Sequence, residues 1–246
     1  MNSLLEKKNG IILKKMPYAE SDEIITVLLQ GEGLRRFFVK GSRKSKKRFA
    51  GLIDYFAHLQ FIYKKGDAGL GKVFEVEIAQ PQSNRALLKE TSYFAWVNYL
   101  SEIICECIAE GDGDHGLYDL WHQMQDEAAK SLFNQQNITF YLLNFLEMAG
   151  YAPDLNACSD CGYDLGDKTI FFDVKRGGLV CASCHPELPH DLALNTQVLQ
   201  TIQNKEVLSH SNKNIWNPLL RDLILFSENI MQKKSRSAAF LLAVMS

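Results

Sequence analysis

Four cysteines constrain this chain more than any other feature: Cys158-x-x-Cys161 and, after nineteen intervening residues, Cys181-x-x-Cys184. Two C-x-x-C pairs at that separation are the ligand set of a structural zinc ribbon, here with Cys158, Cys161, Cys181 and Cys184 around one zinc. Each C-x-x-C turn brings two sulfurs to one side of a tight loop, and two turns complete a tetrahedron. Gly162 supports the first turn, since glycine tolerates positive φ. Thr169–Asp173 and Gly178–Cys181 read as short strands carrying the second pair, and the ribbon is expected over about residues 156–189. Four thiolates fill the coordination shell, leaving no open position for water or substrate. A thioredoxin-type redox site would need a single pair in a βαβ setting. Cys105 and Cys107 lie two apart on an expected helix, point to different faces and read as core.

The ribbon is small beside a chain of 246 residues, which is long enough for two domains. The net charge of −2 conceals an asymmetry. Residues 1–80 carry 15 Lys+Arg against 9 Asp+Glu, a net of +6, and the remainder carries the balancing −8. Arg35, Arg36, Lys40, Arg43, Lys44, Lys46, Lys47 and Arg48 fall within fourteen residues that include no acid. Such a cluster points to an anionic partner, nucleic acid first and an acidic protein second. No apolar run approaches the ~18 residues of a membrane span, and the start of the chain has no signal-peptide pattern. Reduced cysteines in metal spacing indicate a cytoplasmic setting.

The first 80 residues read as five short strands: Ile11–Met16, closed by Pro17; Ile24–Leu29; Leu34–Lys40; and the alternating stretches around Leu59–Tyr63 and Phe74–Ile78. Five strands with tight turns suggest a closed barrel of the OB-fold type. Its most basic segment, Gly41–Arg48, then lies in the long connection between the third and fourth strands, at the rim. Either Phe37 or Phe38 must face the core, because strand residues alternate; with Phe49 they are the aromatics near the basic cluster. Gly66–Lys72 matches G-x-x-x-x-G-K, but Val73 and an alternating strand follow where a P-loop needs Ser or Thr and a helix, so it reads as a hairpin turn.

From residue 83 the pattern is helical, over Leu87–Ile104, Leu117–Met124, Ile138–Met148, a short helix from Asn195, and a longer one from Asn217-Pro218 to Ile230. The expected class is therefore α+β: an OB-fold over 1–80 and an all-helical domain over 81–246 with the four-cysteine zinc ribbon inserted in it. No catalytic set emerges. His185-Pro-Glu187 matches the H-x-E of zinc deaminases, yet their P-C-x-x-C follows that motif and here both cysteine pairs precede it. G-x-S-x-G and H-E-x-x-H are absent. The chain reads as a binding protein and not an enzyme.

Several stretches in order resemble the RecO family of bacterial DNA repair and recombination mediators. They are Ser21–Leu29, Gly31-Glu-Gly33, Val39–Arg43, Arg48–Leu52, Gly150–Pro153 leading into Cys158–Gly162, Gly177–Cys181, and Lys234-Ser-Arg236 with Phe240-Leu241. Many members lack the full cysteine set; this chain keeps all four. The resemblance implies a nucleoid-associated, non-enzymatic protein that binds single- and double-stranded DNA. It implies association with RecR and recognition of the acidic, apolar tail of single-stranded-DNA-binding protein. It also implies loading of RecA on strands that protein covers, and annealing of complementary strands. Lys234 and Arg236, beside Phe240, Leu241 and Leu242, are the expected tail-binding cations. The alternative is an RNA-binding or transcription-type factor built from an OB-fold and a ribbon.

Overall fold

Alternation of inward apolar and outward polar residues draws the first part of the chain into strands. β1 (Glu6–Tyr18), β2 (Asp22–Leu29), β3 (Gly33–Val39), β4 (His58–Lys64) and β5 (Leu70–Ile78) close into a barrel in the order β1-β2-β3-β5-β4. The computed structural model describes residues 5–49, 51–66, 69–79, 86–113, 116–130, 133–163, 169–188, 193–194, 198–199, 201–202 and 213–245. The barrel is the OB-fold that the strand pattern predicts. β1 runs one residue past Pro17, which pairs with Glu23 near the strand end, where a missing N–H costs little.

All neighbouring strands are antiparallel except β3 and β5, which meet in a short parallel seam: Arg36 opposite Leu70, Phe37 opposite Gly71, Phe38 opposite Lys72. Ile12, Ile25, Val27, Leu29, Phe37, Val39, Leu59, Phe61, Tyr63, Val73 and Val76 fill the interior. Phe49 and Ile53, from the connection between β3 and β4, are buried in the same cluster. The hairpin turn expected at Gly66–Lys72 joins β4 to β5, which starts at Leu70 as a strand and not a helix; residues 67 and 68 of that turn lie outside the described residues.

The chain divides into two compact units, Met1–Ser131 and Leu132–Ser246. The first contains the barrel and two helices, α1 (Thr91–Cys107) and α2 (Leu117–Lys130). Both helices cover part of the outside of β1 and β2, where Ile11, Leu13 and Leu28 are buried although they point away from the barrel core. The Ser101 hydroxyl of α1 donates to the Leu13 carbonyl at 2.8 Å, and Trp121 of α2 stacks on Phe56 with ring centroids 6.0 Å apart. His58 of β4 meets His122 of α2 edge to face at 4.7 Å. Burial, then the neighbouring His122, holds the His58 imidazole down to about 3, so it is a neutral core residue.

The second unit contains α3 (Gln135–Met148), the ribbon strands β6 (Asp154–Cys158), β7 (Ile170–Asp173) and β8 (Gly178–Cys181), and the hairpin of α4 (Asn217–Met231) and α5 (Arg236–Met245). Asn134 and Asn137 exchange side-chain-to-backbone hydrogen bonds of 3.2 Å at the start of α3, a capping box that fixes its first turn. Pro218 sits in the first turn of α4, where its missing N–H is no loss. Of the short helix expected from Asn195, residues 195–197 and 200 lie outside the described residues, and Val198, Leu199, Thr201 and Ile202 are helical. Among the described residues no helix is long and apolar enough to cross a membrane.

Gly71 is the tightest point of the seam. A Cβ there would lie 2.7 Å from two carbons of the Phe37 ring and 2.9 Å from the Lys64 carbonyl oxygen. Gly71→Ala is expected to destabilise the protein by about 1–3 kcal/mol through overpacking. The check is a lower urea midpoint with an unchanged slope.

Candidate metal centre and nucleic-acid interface

The ribbon is a three-stranded sheet in the order β6-β8-β7, with β6 parallel and β7 antiparallel to β8. Cys158 ends β6 and Cys181 ends β8, so each strand delivers the first cysteine of a pair into a turn. Gly162, at φ 66°, completes the first turn and donates its N–H to the Cys158 carbonyl at 2.8 Å. In the second turn the Cys184 N–H donates to the Cys181 carbonyl at 3.0 Å. The four sulfurs all lie within 4.8 Å of one another, with Cys158 and Cys184 at 4.0 Å and Cys161 and Cys181 at 3.9 Å. A tetrahedral ion with metal–sulfur bonds of about 2.3 Å sets its sulfurs about 3.8 Å apart, close to the spacing of these two pairs, so the cluster fits a metal ion.

Charge makes the same demand. Burial opposes ionisation of Cys158, but the amides of Cys161, Asp160 and Cys181 point at its sulfur and bring the thiol down to about 6. The Cys184 amide lowers Cys181 in the same way. Cys184, whose hydrogen bonds to Cys161 and Cys181 hold its proton, is pushed up to about 12. Four thiolates this close together would repel one another, and a divalent cation at their centre would compensate that charge. His185 does not join the sulfurs. Its ring bonds Asp160 and, at 2.9 Å, Glu187, while Asp160 also accepts from Arg176. Asp160 lies inside the first turn and His185 just past the second, so this contact ties the two turns together outside the sulfur cage. Phe172 packs edge to face on Phe226 of α4, and Asn229 donates to the Val174 carbonyl at 3.1 Å, seating the ribbon on the helical hairpin.

The eight cations of the N-terminal cluster separate into two groups. Lys40, Arg43, Lys44, Lys46, Lys47 and Arg48 are exposed along the connection from β3 to β4, which begins with a 3-10 turn at Ser42–Lys44. That connection is anchored to the start of β2 and the turn before it. Asp22 accepts from the Gly41 N–H at 2.8 Å, Glu23 accepts from the Ser42 hydroxyl at 2.7 Å, and the Arg43 N–H donates to the Ser21 carbonyl at 3.0 Å. The Gly41 amide, then the Ser21 hydroxyl, holds the Asp22 carboxyl below its ordinary range. Arg48 donates to the Lys40 carbonyl and lies over the Phe49 ring, 4.4 Å from its centroid.

Arg35 and Arg36 lie on β3 and are engaged by carboxylates. Arg35 faces Glu32 at 3.6 Å, and Glu32 also meets Lys8 at 3.1 Å and Lys65 at 3.2 Å. Arg36 offers its backbone N–H and its Nε to the two oxygens of Glu110, at 2.9 and 2.6 Å. The run of cations in the sequence gives no sign of these acids: Glu20, Asp22 and Glu23 precede it on another strand and turn, and Glu110 lies 74 residues from its arginine. In the second unit, Lys234 binds Glu228 at 2.7 Å in the α4–α5 turn. Arg236 and Phe240 are exposed one helical turn apart on α5, and Leu241 is buried.

Comparison with known proteins decides the family. Residues 1–82 match the profile described as "Recombination protein O N terminal", and residues 89–222 match "Recombination protein O C terminal". The chain belongs to the recombination protein O family. A "DNA repair protein RecO" of Desulfosudis oleivorans is 31% identical over 184 residues, covering 72% of this chain and 70% of that protein. Proteins with the same name from an Anaeromyxobacter strain and from Oceanobacillus iheyensis are 27% and 29% identical over 80% and 76% of this chain, and over 77% and 72% of their own lengths. The family places the chain in DNA repair by recombination, as the resemblance implies.

Protein purified without added metal is expected to carry one divalent ion per chain, held by Cys158, Cys161, Cys181 and Cys184. Chelation should expose residues 154–188 to protease before the barrel. A metal content near zero with the ribbon still protected overturns the assignment.

Proposed function

We propose that the protein is a non-enzymatic recombination mediator that holds single- and double-stranded DNA on the rim of its barrel, through the exposed cations of the β3–β4 connection. The observation that carries this reading is the acid-anchored loop presenting Lys40, Arg43, Lys44, Lys46, Lys47 and Arg48 to solvent. Arg35 and Arg36 border the same site from β3; their carboxylate partners must yield before they meet phosphate. Lysines on an exposed connection act as point charges, and phosphate contacts carry no sequence information, so binding is sequence-tolerant. The ion in the four-sulfur cage is zinc in this reading, and its role is structural: zinc-finger peptides gain about 10–16 kcal/mol on binding it. In the family setting the protein works with RecR to load RecA on strands coated by single-stranded-DNA-binding protein, and anneals complementary strands, near the nucleoid in the bacterial cytoplasm.

The acidic, apolar tail of single-stranded-DNA-binding protein requires a cation beside an apolar surface. Lys234 and Arg236, with Phe240 one turn from Arg236, supply both at the α4–α5 turn. Lys234→Ala/Arg236→Ala is expected to weaken a fluorescent tail peptide about tenfold or more, as loss of charge-assisted contacts does. Unchanged affinity moves the seat to the other end of the hairpin, where Pro218, Leu220, Leu242 and Met245 line an apolar depression beside Arg221.

Replacing Arg43, Lys44, Lys46 and Lys47 together with Ala tests the DNA reading. Single- and double-stranded DNA should weaken together, and each lost contact should flatten the log–log salt dependence by about 0.7 on single strands. The fold should survive, because exposed loop charges add little stability. A wild-type salt slope in that variant gives the loop to an acidic protein partner instead.

A further inference from the structure

Register places a second set of groups on the outside of the barrel. Met16 of β1 pairs with Ile24 of β2, Ile24 with Phe38 of β3, and Phe38 with Lys72 of β5. Directly paired residues share a face, and Ile25, Phe37 and Val73 point inward, so this row of four points outward. Strands lie about 4.8 Å apart, so the row runs about 14 Å around the barrel. Tyr18 stands at its margin, edge to face with Phe38 at 5.7 Å, and Phe74 lies under the Lys72 ammonium at 5.2 Å. Tyr18 is 53% and Met16 50% exposed. Water therefore meets rings and apolar chains at the positions where a solvated barrel face should be polar.

Charge decides what covers it. Exposed Lys14 and Lys40 border the row, exposed Lys72 ends it, and the basic β3–β4 connection begins at its edge with Lys40. The acids at that edge are engaged: Glu20 with Lys44, Asp22 with the Gly41 amide, Glu23 with Ser42 and Lys15. Aromatic rings bordered by cations suit a ligand with flat apolar groups on an anionic chain, as unpaired bases on phosphodiester provide. A duplex keeps its bases stacked and paired, and can use only the cations.

We propose that this face is a stacking platform for single strands, with Tyr18 and Phe38 against bases while the neighbouring connection holds phosphates. The inference rests on the DNA reading above and deepens it. It separates two contributions: phosphate contact, which falls with salt on any DNA, and stacking, which operates on single strands alone and resists salt. Phe37 and Phe49, the other aromatics near the basic cluster, are buried in the barrel and take no part.

The full-length protein with Tyr18→Ala/Phe38→Ala tests this by fluorescence anisotropy on three probes of equal length: oligo-dT, an abasic phosphodiester and a duplex. Binding to oligo-dT should weaken about tenfold or more, since each stacked base contributes strongly. Abasic and duplex probes should bind the variant as they bind wild type, which also shows that the fold is intact. Phe38→Trp should retain oligo-dT binding, and the wild-type preference for oligo-dT over duplex should widen as salt rises. Equal oligo-dT binding by the double variant and wild type overturns the platform, as does an equal loss on all three probes. Because the loop variant is read separately, the platform can fail while the phosphate reading stands; a wild-type protein that binds none of the probes defeats both.

Discussion

Three residue pairs between β3 and β5 close the barrel, and the arrangement of the N-terminal unit depends on that seam. Once β5 lies beside β3, β4 is reached only by a connection that crosses the barrel end. That connection, residues 40–57, has two tasks. Its apolar members Phe49 and Ile53 plug the interior, and its cations stay outside because no partner inside would repay their dehydration. The seam also fixes parity. With Phe37 packed inward over Gly71, Phe38 and Lys72 must turn outward together. One backbone constraint thus assigns neighbouring phenylalanines to opposite tasks, one in the core and one on the surface.

The ribbon meets a different constraint. Its strands are four or five residues long, and one short sheet buries too little apolar surface to order itself. Leu179, Val180, Phe171 and Phe172 are buried, and Phe226 lies so close to Gly177 that a Cβ there would overlap the ring. Packing on α4 orders one side of the sheet. The turns beyond it hold few apolar groups, and their geometry comes from the sulfur cage and the Asp160–His185 contact.

Much of this was legible in the sequence because it rests on local periodicity. Alternation around Leu59–Tyr63 and Phe74–Ile78 marks strands whatever they pair with, and C-x-x-C spacing brings sulfurs together by turn geometry alone. What depends on distant partners was not legible. Arg35 and Arg36 look identical to the loop cations along the sequence, yet Glu32 and Glu110 hold them on β3. Ile11, Leu13 and Leu28 extend an apolar run past what a half-buried strand needs, a signal that something covers the outside. The amphipathic pattern of α1 and α2 shows an apolar stripe but cannot say that its seat is the barrel. β6 was hidden because Asp154–Cys158 carries almost no strand preference; it forms because the parallel contact with β8 and the cysteine cage hold it.

Net charge is a poor guide to what such a protein meets. The chain as a whole is acidic by two charges, and residues 81–246 more strongly so. At physiological salt, however, a charge is felt over about 8 Å, so a phosphate approaching the β3–β4 connection responds to the cations within that reach. Two acids beside the connection are already used: Asp22 and Glu23 accept from its own backbone and hydroxyl groups and add rigidity. Acidity elsewhere in the sequence has a second effect. It lowers the general attraction to polyanions that a uniformly basic protein would have. On the proposed reading, DNA would meet the six exposed lysines and arginines of that connection and the rings beside them.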